Sequence, residues 1–194
     1  MPESPTLTLA KQICRFRTSL DLIEHWLSKQ PQQDSLEIPE FDPIDVPGLL
    51  PNIYLLEKID GRLKYRVSGE NVNSLFGRQN TGRYLDEVVP PHLYEFVHPY
   101  FYSIFSGNLV VFGGMVVVSN KEYLEFERVL LPVRRKGETR LLGMLSLTDT
   151  AKMRDDAPPP RPKGGYTFHC QNLATGTIGE FFHEVTPIKS PQIR

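Results

Sequence analysis

Near the N-terminus, apolar residues recur at alternating steps of four and three, which is the spacing of one face of a helix. Residues 18–21 (TSLD) resemble a capping box, which predicts that a new helix begins near Ser19. We therefore predict a helix over residues 21–29, with an earlier helix before it. The apolar face consists of Leu9, Ile13, Phe16, Leu20, Ile23 and Leu27.

This apolar face has two interpretations. A stripe of fewer than three heptads usually packs on the core of its own domain. Alternatively, it contacts a second chain and forms a homodimer through residues 9–27. Burying three such side chains would contribute on the order of 5 kcal/mol before association costs, enough for a weak to moderate dimer. The expected dimer contacts are Phe16, Leu20, Ile23 and Leu27.

Residues 31–51 are rich in proline, which removes backbone donors and disfavours helix. This pattern predicts an extended connector with short turns. A strand is predicted over residues 53–59, followed by an Asp60-Gly61 turn and a second, alternating strand over residues 63–69.

Short helices are predicted between residues 70 and 89, and a longer helix over residues 91–106 that Pro99 should kink. Gly107 stands where a helix commonly ends. The remaining strands are predicted at 109–118, 122–133 and 139–148, with a Lys136-Gly137 turn before the last.

This order of elements predicts an α+β fold in which a five-stranded antiparallel sheet carries helices on one face, behind an N-terminal leader helix. Residues 151–194 contain several prolines and few aromatic anchors. We therefore expect a mostly flexible tail, with at most one short ordered segment near residues 179–185.

Composition narrows the function classes. The 194 residues carry a formal net charge of −1, which argues against a dedicated nucleic-acid binder. No apolar run is long enough to span a bilayer, and residues 1–4 do not resemble a signal peptide. Two cysteines without a CxxC motif fit a reduced, cytoplasmic protein.

Several short motifs surround the predicted strands. They are His25-Trp26, Ile38-Pro39, Phe41-Asp42-Pro43, Leu49-Leu50-Pro51, Tyr65-Arg66-Val67-Ser68-Gly69, residues 76–83 (FGRQNTGR) and Leu131-Pro132. With the element order β-β-α-α-β-β-β, they resemble the stand-alone PAS domain proteins common in alphaproteobacteria. The resemblance covers roughly residues 20–150.

The resemblance implies a bacterial sensory or signalling module rather than an enzyme, since PAS domains usually sense or bind. Such a module would lack an output domain and act through a signalling protein partner. It divides the chain into a leader and connector (1–51), a PAS-like domain (52–150) and a tail (151–194).

We expect no cofactor. Flavin-binding PAS domains that form a covalent adduct use a reactive cysteine after a Gly-x-Asn motif, and here Asn80 is followed by threonine. Haem-binding PAS domains use a helical histidine, for which only His92 and His98 are candidates. The tail residues His169, Cys170 and His183 lack the paired spacing of a zinc site.

Catalysis and nucleic-acid binding have weak support. Glu125 and Glu127 alternate on one strand and therefore share a face, and such a pair is usually a wetted surface. The basic residues Arg134, Arg135, Lys136 and Arg140 cluster at a hairpin, and we interpret this cluster as a solvated turn and not as a phosphate-binding site. An enzyme of cone-like α+β fold remains a third alternative.

A small-molecule site is the usual expectation for a PAS domain. Arg128 lies in phase with the apolar residues Leu124, Phe126, Leu130 and Pro132, so its guanidinium either finds an acceptor or extends to the solvated rim of the sheet. The acceptor is either an anionic ligand or a carboxylate such as Asp86 or Glu87. Alternatively, a bulge in the strand changes the face on which Arg128 lies. The hypothetical ligand-binding set is Arg128, Phe76, Tyr84, Tyr94, Tyr102 and Phe105; the alternative is that these aromatic side chains fill the core of a ligand-free interaction adaptor.

Overall fold

The computed structural model describes residues 4–30, 37–118, 122–149 and 151–184. The helices within these residues are α1 (Pro5–Ile13), α2 (Arg17–Ser28), α3 (Glu70–Leu75), α4 (Leu85–Val88) and α5 (Pro91–Ser103). The strands are β1 (Ile53–Ile59), β2 (Arg62–Ser68), β3 (Asn108–Val118), β4 (Glu122–Arg135), β5 (Glu138–Leu147), β6 (Gly165–Asn172) and β7 (Ile178–Glu184). Short 3-10 helices occupy Pro43–Asp45, Pro47–Asn52 and Ile104–Ser106.

The strands form one antiparallel sheet in the order β2-β1-β5-β4-β3-β6-β7. The two predicted tight turns are present. Asp60 and Gly61 have φ of 47° and 81°, and Lys136 and Gly137 have φ of 54° and 79°. Two successive residues with positive φ are typical of the type I′ turn, whose twist suits a β-hairpin.

Both faces of the sheet are covered by helices. The inner face, as we call it, packs under α3, α4 and α5 through residues such as Leu56, Phe112 and Leu145. The outer face packs under α1 and α2 through residues such as Val129 and Met144. The expectation of helices on only one face therefore needs correction, because the leader folds back over the second face.

The leader is two helices, since α1 ends at Ile13 and α2 begins at Arg17, before both the predicted cap near Ser19 and the predicted helix over residues 21–29. Trp26 anchors α2, because its indole Nε1 donates to the carbonyl of Pro132 at 2.8 Å. Phe16, Leu20 and Ile23 are at most 1% exposed within the single chain, and Leu27 is half-buried. This packing matches the internal-core interpretation and leaves the first three without exposed surface for the dimer contact.

The tail differs most from the sequence-based expectation. Residues 165–172 form β6 against β3, and residues 178–184 form β7 against β6, so the sheet has seven strands instead of five. Phe168 stacks on Phe112 with ring centroids 4.6 Å apart, and the Tyr100 hydroxyl lies 2.7 Å from His183 Nε2. Residues 185–194 of the predicted tail, like residues 31–36 of the connector, lie outside the described parts.

Candidate functional site

Arg128 on β4 faces the inner side of the sheet, in phase with Phe126 and Leu130 as the strand pattern predicts. Its side chain is buried, at 8% exposure. The guanidinium Nη1 donates to the Tyr54 hydroxyl at 3.2 Å, and its carbon lies 5.6 Å from the ring centroids of both Tyr54 and Phe76. A cation thus sits among aromatic rings on the inner face.

No carboxylate neutralises this cation among the described residues, where Arg128 makes no ion pair within 4.0 Å. The two candidate acids predicted from sequence, Asp86 and Glu87, instead bind Arg62, whose Nη2 lies 2.8 Å from Asp86 and 3.0 Å from Glu87. Arg128 therefore has aromatic and hydroxyl neighbours but no counter-ion in the described part of the chain.

The neighbouring tyrosines do not supply a negative charge. Burial raises the pKa of Tyr54, while the Arg128 guanidinium opposes that rise. Burial also raises the pKa of Tyr65, whose ring centroid is 5.8 Å from that of Tyr54. Both hydroxyls are therefore neutral donors at neutral pH. The Tyr65 hydroxyl has no hydrogen-bond partner among the described residues.

Gly143 on β5 makes room for the ring of Tyr54, its cross-strand partner. A Cβ at this position would lie 2.1 Å from two ring carbons of Tyr54.

Gly143→Ala should therefore displace the ring that holds Arg128 and lower the free energy of unfolding by about 1–3 kcal/mol, the usual effect of overpacking. Urea unfolding of the two proteins measures this difference, with the exposed Gly48→Ala as control because a Cβ there meets nothing within 4 Å. An unchanged midpoint would contradict the close packing of Gly143.

Of the predicted aromatic set, Phe76 lies beside Arg128, as its 5.6 Å cation–ring distance shows. Tyr84 instead lies under the Arg62 guanidinium at 3.8 Å, and the Tyr102 hydroxyl donates to the Gly61 carbonyl at 2.8 Å. Tyr94 stacks on His98, and Phe105 lies near Lys58. Tyr54 and Tyr65 were missing from the sequence-based set. The apolar run of residues 53–56 is unbroken, so alternation does not show which face of the sheet Tyr54 lies on.

A second polar site lies on the outer face, and we call it the outer polar cluster: Arg15, Glu125, Glu127 and Arg161. Arg15 Nε lies 2.5 Å from Glu125, and Arg161 Nη2 lies 2.7 Å from Glu127. Glu125 and Glu127 are 4% and 0% exposed. The expectation of a wetted glutamate surface is therefore wrong, because the leader and residue 161 cover this part of β4.

Glu127 joins three parts of the chain. Its carboxylate accepts hydrogen bonds from the backbone N–H groups of Arg15 and Phe16, at 2.9 and 3.4 Å, besides its contact with Arg161. Arg15 and Phe16 form the break between α1 and α2, and Arg161 belongs to the segment leading to β6. Burial raises the pKa of Glu127, and the neighbouring Arg161 opposes this. The arrangement holds segments together, since its charges are already paired.

The cysteines, possible metal ligands and the basic hairpin were the other candidate sites in the sequence. Burial raises the pKa of the Cys14 thiol well above its usual value and that of Cys170 to about 11. The described residues contain no group of three or more His, Cys, Asp or Glu placed to hold a metal ion. In the basic hairpin, Arg140 pairs with Glu57 at 3.3 Å. Within the described ranges, no helix is both long and apolar enough to cross a membrane.

The first five strands form an antiparallel sheet, and the helices α3, α4 and α5 between β2 and β3 cover its inner face. A family model described as a PAS domain matches residues 14–146, and the chain belongs to this family. PAS domains are sensory and signalling modules and are generally not enzymes. No curated protein and no solved structure gives a significant match. The hairpin of β6 and β7 lies beyond the residues that the family model covers.

Proposed function

We propose that this protein is a sensory PAS module that binds an anionic small molecule non-covalently. Binding changes the packing of the sheet and helices, and a protein partner responds to this change. The anion is a carboxylate or similar group on an apolar body. Arg128 is its counter-ion, and the Tyr54 and Tyr65 hydroxyls are further donors. The aromatic ring of Phe76 contacts the apolar part.

The absence of a counter-ion at Arg128 within the described residues carries this proposal. A buried guanidinium loses hydration, and a neutral hydroxyl with two aromatic faces replaces that hydration only in part. An anion would form charge-assisted hydrogen bonds with the guanidinium, which are stronger than neutral ones. The unpartnered Tyr65 hydroxyl adds a donor close to the same place.

The alternative is a constitutive adaptor whose domain binds nothing small. In an adaptor, Arg128 would be an unneeded buried charge, and its replacement would affect only stability. In a sensor, its replacement would also remove ligand. Ligand retention and stability therefore separate the two functions.

Arg128→Met should lose a bound anion while the ligand-free protein becomes equally or more stable, because replacing an uncompensated buried charge by an apolar side chain removes a desolvation penalty. Native mass spectrometry of the full chain after gentle purification reports a retained small molecule. A panel of carboxylates with apolar bodies, screened by thermal shift, supplies a ligand where none is retained. We expect affinity for the best of these to fall about 30-fold or more in Arg128→Met, which corresponds to about 2 kcal/mol.

Arg66→Met is the matched control, since Arg66 is exposed and pairs with Glu57 on the sheet. It should leave ligand affinity unchanged. A wild-type chain that retains no small molecule and is stabilised by none of the carboxylates would contradict the sensor and favour the adaptor. Equal affinities of wild type and Arg128→Met would contradict the assigned site.

A further inference from the structure

The sheet ends at β7, whose exposed side chains are unusual for an edge strand. Among the described residues, the exposed large hydrophobic side chains are Ile44, Leu50, Leu75, Ile178, Phe181 and Phe182. Half of them therefore lie on this one strand. Ile178 is 52% exposed, and Phe181 and Phe182 are each 49% exposed. Within the described ranges, β7 pairs with β6 only.

Edge strands usually carry features that prevent pairing with another chain, such as lysine, proline or a bulge. The sequence of β7, residues 178–184 (IGEFFHE), contains no lysine or proline, and its register with β6 is continuous. Alternate residues of any edge strand direct their N–H and C=O groups outward. The strand therefore offers a regular row of backbone hydrogen-bonding groups, flanked by exposed apolar side chains.

The opposite edge of the sheet is protected in the usual ways. Gly82 N donates to the carbonyl of Tyr65 at 2.8 Å, and Tyr65 N donates to the carbonyl of Arg83 at 2.9 Å, so a loop occupies the free side of β2. The exposed side chains of β2 are also basic, as at Arg62 and Arg66. Within the described residues, the two edges therefore differ: the free side of β2 is covered, whereas the free side of β7 is not.

The charges on β7 indicate what kind of strand would pair with it. Glu180 and Glu184 are exposed, and the strand contains no lysine or arginine. Among the described residues, the ion pair recorded for Glu180 is a long one, with His169 Nδ1 at 3.7 Å, and the Glu180 side chain is 67% exposed. A second copy of β7 would place four glutamates along one seam with no lysine or arginine from either strand to neutralise them, which is electrostatically unfavourable. A strand that alternates basic and apolar residues would complement both the acidic and the apolar positions.

We propose that β7 is a docking edge for an extended segment of a partner protein that alternates basic and apolar residues and joins the sheet as an eighth strand. Backbone hydrogen bonds would provide the affinity, and Glu180 and Phe182 would provide selectivity. The inference rests on the proposed function for the idea of a protein partner, while the surface is argued from β7 alone and does not involve Arg128.

Selection of a random displayed peptide library against the full-length protein tests this inference. We expect enrichment of peptides that alternate lysine or arginine with β-branched or aromatic residues. Synthetic versions should bind about tenfold more weakly to Glu180→Lys and to Phe182→Ser, and an acidic version of the peptide should regain affinity for Glu180→Lys. The controls are Glu138→Lys and Ile44→Ser, exposed residues away from β7, which should bind as the wild type does.

Each other outcome overturns the proposal. A library that enriches no such peptide, or peptides that bind the β7 variants unchanged, would exclude β7 as the docking edge. A wild-type dimer in sedimentation that Phe182→Ser dissociates would assign the edge to a second copy. Peptide binding only after deletion of residues 185–194 would assign it to the chain's own end. Arg128→Met should bind the peptides normally, so failure of the ligand proposal would leave this result intact.

Discussion

Glu127→Ala is expected to lower the free energy of unfolding by about 3–5 kcal/mol, the usual consequence of removing one partner from a buried ion pair. The carboxylate is 0% exposed and holds the Arg161 guanidinium at 2.7 Å. Its loss would leave Arg161 buried beside Arg15, with Glu125 as the acid that remains. It would also leave the backbone N–H groups of Arg15 and Phe16 without their acceptor.

Equilibrium unfolding in urea measures this effect, and two further variants define its cause. Glu127→Gln retains an acceptor for the backbone N–H groups and should lose less stability than Glu127→Ala. Glu138→Ala is the matched control, because this side chain is 72% exposed and should change the free energy of unfolding by no more than about 0.5 kcal/mol. If Glu127→Ala were as mild as this control, the carboxylate would be a solvated surface group, as the strand pattern alone predicts.

Phe168→Ala is the second large effect we expect, with a loss of about 3–5 kcal/mol in unfolding free energy, as for other phenylalanines removed from a core. The ring is 0% exposed, and its centroid lies 4.0 Å from that of Tyr100 and 4.6 Å from that of Phe112. These partners belong to α5 and β3, within the residues that the family model covers. The cavity would therefore open in the domain core rather than in an appendage.

Phe182→Ala on the adjacent strand is the control, since that ring is 49% exposed and should contribute far less. Deletion of residues 165–194 should destabilise the domain at least as strongly as Phe168→Ala, because it uncovers β3 as well. A truncated protein that unfolds at the wild-type urea concentration would show that the hairpin of β6 and β7 does not share the core. That result would restore the sequence-based view of residues 151–194 as a tail.

The hairpin also explains where the open edge of the sheet lies. In the five-strand arrangement expected from sequence, β3 would be the edge. Here β6 pairs with β3 over residues 108–114, so the edge moves outward to β7. The hairpin of β6 and β7 thus covers the edge at β3 and leaves a new edge at β7, whose exposed side chains are apolar and acidic. The docking proposal follows from this change.

The candidate ligand site was only partly visible in the sequence. The period of two along β4 was sufficient to direct Arg128 inward, because a strand alternates its faces without reference to the rest of the fold. Phe76 was in the predicted set, whereas the tyrosine neighbours of Arg128 were not, since Tyr54 and Tyr65 belong to strands more than sixty residues earlier along the chain. Asp86 and Glu87, which sequence offered as acceptors, bind Arg62 because α4 packs beside β2.

Features that depend on neighbours along the chain could be predicted from the sequence. The turns at Asp60-Gly61 and Lys136-Gly137, the bounds of β1, the position of α5 and the inward direction of Arg128 follow from local backbone preferences and side-chain periodicity. The order of these elements was enough to suggest the PAS fold, and the family match confirmed it.

Which surfaces are covered depends instead on how distant parts of the chain pack together. Glu125 and Glu127 look like a solvated pair along the strand and become buried because the leader and Arg161 lie over them. The apolar face of the leader is covered by the chain's own sheet, and residues 165–184 become strands because β3 offers an edge and Phe112 a ring to pack against. Burial and pairing between distant segments depend on long-range contacts, whose partners a local pattern does not specify.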